Sequence, residues 1–340
     1  MGKPMSLSSP HSQRLERWLG SAELSRLVRA SLGVSIPVPV CNVPGDVFTY
    51  NGQLFGPMRG GGFASLSDLI SEATTGGKRQ DLQYIKAGTA GIVGRSNSLW
   101  NVGSVPAAGG IGGTTGTGIA KTSASTGALK QTDAGGTDTL HIVSVVSQAS
   151  VATNLLLLYD RLWDMTHTMT VDPRTVDTAN LPTRYQTAAL APGNFVSGEV
   201  TTVLPAATPT ITFSYVDQDG NATAAGPALS TIASAAAVNS VPFTAPNWKY
   251  PITAGDTGVR SITNVDLSAA MASGVVSWFI GHPLCWIPQP LANTAYIVDG
   301  INSAFNLVEV LDVACLAFLE IAKGATGATN YWGNLALVSG

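Results

Sequence analysis

Hydrophobic and polar positions follow two different periods along this chain of 340 residues. In residues 12–31 and 63–74 the apolar positions recur at three- and four-residue spacing, which predicts short amphipathic helices. Residues 140–171 and 302–324 are longer and more continuously apolar, and we expect a helix in each of them. These four segments are the predicted helical part of the molecule.

From residue 195 onward the period is two, as in strands with one buried face. The clearest case is the alternation of Ile211, Phe213 and Tyr215, which ends at the Asp-Gly pair of residues 219–220 and predicts a hairpin. A second hairpin is predicted at residues 50–52. The pattern as a whole predicts an α+β fold that is mainly β: an antiparallel β-sandwich or barrel body with a few helices and long, extended, uncharged arms.

Shifts in composition divide the chain into five segments. We expect an N-terminal helical and extended segment, a Gly/Ala/Thr-rich extended arm, a helix with a connecting strand, a β-rich domain, and a C-terminal helix with a tail; these are residues 1–86, 87–138, 139–194, 195–300 and 301–340.

Residues 98–118, SLWNVGSVPAAGGIGGTTGTG, form a segment without any charged side chain, here called the glycine-rich segment. Its glycines lack the spacing and the strand-then-helix context of a phosphate-binding loop. Trp100 and scattered aliphatic residues indicate that it docks on protein rather than remaining a free linker. We therefore expect an arm that becomes ordered on a neighbouring subunit.

Charge is scarce, because Asp, Glu, Lys and Arg make up only 11% of the chain and the formal net charge is −3. A freestanding protein usually keeps a charged, mixed surface, so much of this surface is expected to lie against other protein; solvation by Ser and Thr is the alternative. The absence of a basic face argues against direct sequence-specific nucleic-acid binding. Cys41, Cys285 and Cys315 fit neither a disulfide framework nor a metal site and are expected to be buried thiols.

Candidate chemistry is sparse. Asp160, Asp164 and His167 could share one helix face as an acid/base or metal-binding group, but a solvated polar stripe is favoured. His282 and Cys285 lie three residues apart, and strand geometry would point them to opposite faces, which favours a core role over a nucleophilic pair. We expect no cofactor, no membrane-spanning segment and no enzymatic activity.

Two stretches carry a resemblance to a known group of proteins. Residues 254–290, with a G-x-x-G-V-R-S turn followed by an apolar strand that ends in proline, resemble C-terminal strands of tailed-bacteriophage virion structural proteins. Residues 94–110, GRSNSLWNVGSVPAAGG, resemble an uncharged, tryptophan-containing arm in the same group. The resemblance implies a virion component without catalytic residues: a head protein, a capsid decoration or cement protein, or a tail-tube or neck protein.

A decoration or cement protein suits the low charge better than a major capsid protein with a charged spine helix. We expect a homo-oligomer, trimeric or higher, that contacts other capsid proteins within a virion assembled in the host cytoplasm. Its predicted subunit contacts are an anchor, Trp100, and polar contacts from basic residues, Arg59, Lys78, Arg79, Arg95 and Arg260.

Two functions of other classes stay open at this stage. A surface carbohydrate-binding β protein would use Trp100, Trp248 and Trp286 as stacking platforms. A hydrolase with an unrecognised site would have to use the only candidate group, which consists of Asp160, Asp164 and His167.

Overall fold

Antiparallel sheets stacked in layers make up this protein, and a single helix is found in the part that the structure describes. The computed structural model describes residues 48–50, 53–55, 63, 65–74, 76–112, 115–136, 138–152, 154–178, 180–230, 236–300, 307–324 and 326–340. All of them belong to one compact unit, Cys41–Gly340. Strands account for 44% and helix for 4%, which confirms the predicted mainly-β, antiparallel, sandwich-like class.

The central sheet is the middle layer and has the strand order β10-β15-β8-β18-β4, with β6 also paired to β8. Its strands are β4 (Asn97–Ser98), β6 (Ile119–Ala120), β8 (Asn154–Thr168), β10 (Phe195–Thr202), β15 (Val275–Gln289) and β18 (Leu316–Ile321). Each of the last four segments predicted from composition contributes strands to this sheet. The five segments therefore do not correspond to separate sheets, and their boundaries stay a prediction from the sequence.

The front sheet covers one side of the central sheet and has the order β16-β7-β19-β3-β5, with β17 also paired to β7. Its strands are β3 (Arg79–Ala87), β5 (Ser104–Val105), β7 (Leu140–Ala149), β16 (Tyr296–Asp299), β17 (Val308–Val310) and β19 (Asn330–Ser339). Helix α1 (Leu66–Thr74) lies within residues 63–74, where a helix was predicted. It packs against β3 and β19.

The back sheet covers the other side of the central sheet and has the order β12-β11-β14-β9, with β13 also paired to β11. Its strands are β9 (Arg174–Thr175), β11 (Thr210–Asp217), β12 (Ala222–Thr223), β13 (Leu229–Ser230) and β14 (Val259–Leu267). Both predicted hairpins are present: β11 pairs with β12 across the Asp-Gly turn, and β1 (Phe48–Tyr50) pairs with β2 (Gln53–Phe55).

Two hydrophobic cores separate these layers, and strand β8 contributes to both. Leu156 and Leu158 pack in the core toward the front sheet, whereas Leu157 and Tyr159 pack in the core toward the back sheet. A strand that is buried on both faces has no polar positions to reveal its period of two. The expected helix over residues 140–171 is therefore wrong, and strands β7 and β8 occupy that range.

The C-terminal helix expected over residues 302–324 is wrong for the same reason. Strands β17 and β18 lie there, and residues 301–306 fall outside the described part. In β18, Leu316 and Phe318 face the front core while Ala317 and Leu319 face the back core. The helix predicted over residues 12–31 lies outside the described residues.

Both cysteines of the described part are buried and unoxidised, as expected for Cys285 and Cys315. Burial raises the pKa of Cys285 to about 12, so its thiol stays protonated and chemically inert. Cys41 lies outside the described residues.

Candidate functional site

The candidate acid/base group lies on the doubly buried strand β8 rather than on a helix. Asp160, Asp164 and His167 are each fully buried, so neither the solvated polar stripe nor an open acid/base site is present. Charged side chains in such a place must be paired or must lose their charge. Their partners therefore decide what this group does.

Arg161 is the centre of the buried network. Its Nε donates to Asp164 Oδ2 at 2.9 Å, its Nη2 donates to Glu199 Oε1 at 2.9 Å, and its Nη1 donates to the Tyr159 hydroxyl at 3.2 Å. The guanidinium carbon also lies 4.2 Å from the ring centroid of Phe279 and 5.0 Å from that of Trp100. Planar, weakly hydrated guanidinium groups with several donors suit such a stacked environment with three hydrogen-bond acceptors.

A second arginine pairs with the other carboxylate of β8. Arg184 Nε and Nη2 donate to Asp160 Oδ2 and Oδ1 at 2.7 and 2.8 Å, the bidentate geometry of a strong ion pair. Asp160 Oδ1 also accepts from the backbone N–H of Cys315 at 2.8 Å. Lys121 Nζ lies 3.2 Å from Asp164 Oδ1. Three cations and three anions, Lys121, Arg161, Arg184, Asp160, Asp164 and Glu199, thus balance one another.

The neighbours of both arginines hold them in the charged form. Burial lowers the pKa of Arg161, but Glu199 and further neighbours outweigh it, and the net shift is upward. Burial likewise lowers the pKa of Arg184, and its contacts with Asp160 turn the net shift upward. The six groups therefore form a buried network in which each cation contacts a carboxylate, which is the arrangement of a structural element.

His167 takes no part in that network. Trp278 Nε1 donates to His167 Nδ1 at 3.1 Å, which leaves Nε2 as the protonated nitrogen that contacts the carbonyl of Val171 at 2.9 Å. Burial lowers the pKa of His167, consistent with a neutral ring. Both ring nitrogens are occupied, so the hydrolase hypothesis loses its base.

His282 and Cys285 are also core residues. His282 Nδ1 lies 2.9 Å from Asn194 Oδ1, its ring stacks on Tyr185 at a centroid distance of 3.9 Å, and burial lowers its pKa to about 3. A ring that stays neutral inside a core cannot activate a thiol as an imidazolium.

The glycine-rich segment lies over this network within its own chain. A Cβ at Gly109 would overlap the Trp100 ring, one at Gly112 would overlap Asp164 Oδ1, and one at Gly118 would overlap the Trp163 ring. The carbonyl of Gly110 accepts from Trp100 Nε1 and from Lys121 Nζ, both at 3.1 Å. Glycine occurs here because the backbone passes directly over large buried side chains.

The structure corrects the interface role that we predicted for Trp100. Its side chain is 1% exposed and packs in the back core, between its own segment and Arg161. A neighbouring subunit therefore cannot reach it. The segment is docked on protein, as expected, but the protein is its own chain.

The predicted basic contacts are dispersed over the molecule. Lys78 Nζ lies 2.9 Å from Asp138 and 3.1 Å from Glu72, and Arg79 pairs with Asp81 at 2.8 Å. Arg95 is half-buried before β4, Arg260 Nε donates to the Gln218 carbonyl at 2.9 Å in the back sheet, and Arg59 lies outside the described residues. The structure brings only Lys78 and Arg79 together, and a role of these residues in subunit contacts stays a prediction.

The tryptophans of the carbohydrate-binding hypothesis are packing residues. Trp100 and Trp286 are 1% and 6% exposed, and Trp248 packs edge-on against Trp286 at 5.5 Å. A sugar ring needs an open aromatic face, which Trp100 and Trp286 do not present.

Part of the solvent side of the front sheet is uncharged, and this part is here called the open face; Arg79 and Asp81 lie beside it on the same face of β3. Strand alternation and register place two adjacent rows on it: Ile297, Val146, Asn334 and Gln83 in one, and Gln148, Trp332, Ile85 and Val105 in the other. Ile297, Ile85 and Val105 are 62%, 52% and 52% exposed. Trp332 Nε1 donates to Gln148 Oε1 at 2.9 Å, which fixes the orientation of the indole on this face.

Sequence reasoning missed Arg161, Arg184, Glu199 and Lys121 as members of one network. A signal was present, because the pair Asp160-Arg161 and then Asp164 interrupt the apolar run LLLLYDRLWD. Charges embedded in a doubly buried strand require internal partners. A helix with one solvated face would not require internal partners for these charges, so the helical interpretation missed the network.

Comparisons with known proteins place this chain in no family. No family model matches it, and no curated protein matches it. Among solved structures, that of the infectious bursal disease virus Gx strain is 11% identical and covers 77% of this chain and 80% of its own, with a TM-score of 0.18. The infectious bursal disease virus VP2 subviral particle is 10% identical, with 76% and 80% coverage and a TM-score of 0.17. Likenesses at such TM-scores carry no argument about this chain.

The described residues contain neither a membrane-spanning helix nor a metal-binding group of side chains. None of the helices found there is long and apolar enough to cross a membrane. Across the same residues, His, Cys, Asp and Glu side chains do not gather in threes with an arrangement that could hold a metal ion.

Proposed function

We propose that this chain is a structural component of a virus particle that assembles through uncharged surfaces. One observation carries the proposal: a chain with few charges buries a large share of them, although charged residues are rarely buried. Of its 18 Lys and Arg and 21 Asp and Glu residues, ten are buried in the described part: Lys86, Lys121, Asp160, Arg161, Asp164, Arg184, Glu199, Asp217, Glu320 and Lys323.

The exterior is therefore about as poor in charge as the composition indicates. The open face presents uncharged amides beside exposed aliphatic side chains, with Ile85 and Val105 directly paired across β3 and β5. An uncharged, partly apolar surface of this kind is typical of protein contacts, and its exposed apolar area is unfavourable in water at about 25 cal/mol per Å2. Repeated copies of the chain would cover it.

The finer assignment follows the resemblance of residues 254–290 and 94–110. We propose a tailed-bacteriophage capsid-associated protein, of the decoration, cement or head-shell type, that forms trimers or larger homo-oligomers and contacts other capsid proteins. In that setting it is a non-enzymatic part of a virion assembled in the host cytoplasm. Exposed Arg79 and half-buried Lys78, Arg95 and Arg260 are proposed for polar contacts at the edges of the uncharged interfaces.

The test measures the mass of the purified chain by light scattering over a concentration series, together with electron microscopy of the assemblies. We expect homo-oligomers, and we expect Ile85→Lys and Ile297→Lys to weaken association at least about tenfold, since each places a charge in the open face. Val203→Lys, at a site that is 50% exposed just after β10, is the matched control. A wild-type chain that stays monomeric at every concentration would argue against self-assembly.

A further inference from the structure

Three reactive side chains meet at the buried edge of the central sheet. Asn97 of β4 is the direct cross-strand partner of Glu320 of β18, and Lys323 follows two residues after that strand ends. Asn97 is 1% exposed, and both Glu320 and Lys323 are fully buried. Backbone bonds from Lys323 N to the Arg95 carbonyl at 2.9 Å and from Gly94 N to the Lys323 carbonyl at 2.8 Å hold the two segments side by side.

One carboxylate oxygen contacts both of the other groups. Glu320 Oε2 accepts from Asn97 Nδ2 at 3.2 Å and lies 3.6 Å from Lys323 Nζ. Gly91 closes the same place: a Cβ there would lie 3.4 Å from Asn97 Nδ2 and 3.4 Å from Lys323 Cδ. An amine, a carboxamide and a shared carboxyl group are therefore enclosed together.

The arrangement is poor as an ordinary buried ion pair. A charge-assisted N–H···O bond spans about 2.7–2.9 Å, whereas Lys323 Nζ makes such a contact with the Thr89 carbonyl, at 2.8 Å, and not with Glu320. Asn97 Oδ1 is buried and accepts no hydrogen bond from the described residues. Burial raises the pKa of Glu320, which favours a neutral carboxyl at this place.

We propose that Lys323 and Asn97 form an intramolecular isopeptide bond, with Glu320 as the group that transfers the proton. The lone pair of Lys323 Nζ attacks Asn97 Cγ, and a new C–N bond forms. The proton released from Nζ passes through the Glu320 carboxyl to Asn97 Nδ2. The Cγ–Nδ2 bond then breaks and ammonia leaves, so the step needs no oxidant, metal or co-reactant.

The position of Glu320 supports the proton transfer in this step. Because Glu320 Oε2 contacts both nitrogens, the same carboxyl can accept the proton from the nucleophile and deliver it to the leaving group.

The bond would tie β4 to the end of β18 across most of the length of the chain. A cross-link that closes so long a loop restricts the unfolded chain, as a disulfide does. Its formation depends only on the folded monomer, so the inference stands whether or not the proposed virion role holds.

The test is mass spectrometry of the folded, then denatured, full chain. We expect an intact mass lower than the sequence mass by one ammonia, and a tryptic product in which residues 96–121 are joined to residues 261–340, because trypsin cannot cut after a modified Lys323. Glu320→Gln and Lys323→Met should both restore the full sequence mass. Lys86→Met, which removes another buried lysine, should keep the loss of ammonia.

Two results would overturn the proposal. One is a folded wild-type chain at its full sequence mass, with Asn97 and Lys323 in separate peptides. The other is a loss of ammonia confined to the peptide that contains Asn97, since that product is a cyclic imide. Both are read from the wild-type chain, so the outcome does not depend on whether the variants fold.

Discussion

Two buried cationic sites hold the glycine-rich segment, and they do so in different ways. Beneath Gly112, Arg161 and Lys121 are neutralised by the carboxylates of Asp164 and Glu199. At Val102, Pro106 and Ala107 the segment is held by Lys86, whose Nζ donates to their carbonyls at 3.1, 2.9 and 3.5 Å. The first site uses opposite charges, and the second uses only backbone dipoles.

The difference shows how a segment without charge can be fixed inside a protein. In the first site each cation has an anion in contact, so the removal of one partner leaves a buried charge unpaired. Lys86 Nζ contacts backbone carbonyls, and burial lowers its pKa to about 8 although the charge of Glu199 acts in the opposite direction. We therefore expect the first site to dominate stability and the second to add a dependence on pH.

The largest effect is expected when the centre of the charged site is removed. Arg161→Met leaves Glu199 and Asp164 as buried carboxylates without their main partner. Breaking a buried ion pair in this way costs about 3–5 kcal/mol of unfolding free energy. Urea denaturation followed by tryptophan fluorescence measures it.

Arg79→Met is the matched control for that change. Arg79 makes an ion pair with Asp81 at 2.8 Å, but both side chains are about half exposed. Exposed pairs contribute about 0–1 kcal/mol. Equal losses of unfolding free energy in the two variants would mean that the buried network stabilises the protein no more than an exposed ion pair does.

An intermediate effect is expected where the segment passes over the buried ring of Trp163, next to the network. Gly118→Ala places a methyl group in the ring of Trp163, which is fully buried. Overpacking of this kind typically costs about 1–3 kcal/mol. We expect lower unfolding free energy and faster proteolysis within residues 98–118.

The same segment supplies the control for this substitution. A Cβ at Gly110 would have no heavy atom within 4 Å, and its backbone needs no left-handed conformation. Gly110→Ala should therefore leave stability and proteolysis unchanged within error. Identical behaviour of the two alanine variants would show that the segment does not lie on Trp163.

Strands β11 and β8 show how much of the fold could be predicted from the sequence. Alternation at Ile211, Phe213 and Tyr215 predicted strand β11 and its hairpin because that strand keeps one polar face. Strand β8 is buried on both faces, so its apolar run carried no period and was assigned to a helix. The error arose because β8 lies between two other sheets. The local sequence pattern does not show that both of its faces are covered.

The site was harder to predict than the fold for a related reason. The lack of charge and the docking of the glycine-rich segment were readable from composition and from Trp100. That the partner surface is the chain's own β8 depends on contacts between residues far apart in sequence, such as Gly112 with Asp164 and Arg161 with Glu199. The sequence pattern of the segment would be the same if it docked on the identical side chains of a neighbouring subunit.

The smallest effect is expected from pH at the second site. The pKa of Lys86, about 8 in the folded protein against an ordinary value of 10.5, means that the unfolded chain binds more protons between these two pH values. Stability contributed by this group therefore rises with pH across that window, by at most about 1.4 kcal/mol per pH unit, and is constant below it. Urea denaturation at pH 7 and at pH 9.5 measures the change.

The comparison that isolates Lys86 is with Lys86→Met at both pH values. The stability of the wild-type chain relative to this variant should increase from the lower to the higher pH, since only the wild-type chain carries the group. Lys130→Met, at an exposed lysine near the same segment, should show no such change. A relative stability that is constant or falls with pH would mean that Lys86 is hydrated in solution, and that backbone carbonyls alone do not hold this end of the segment.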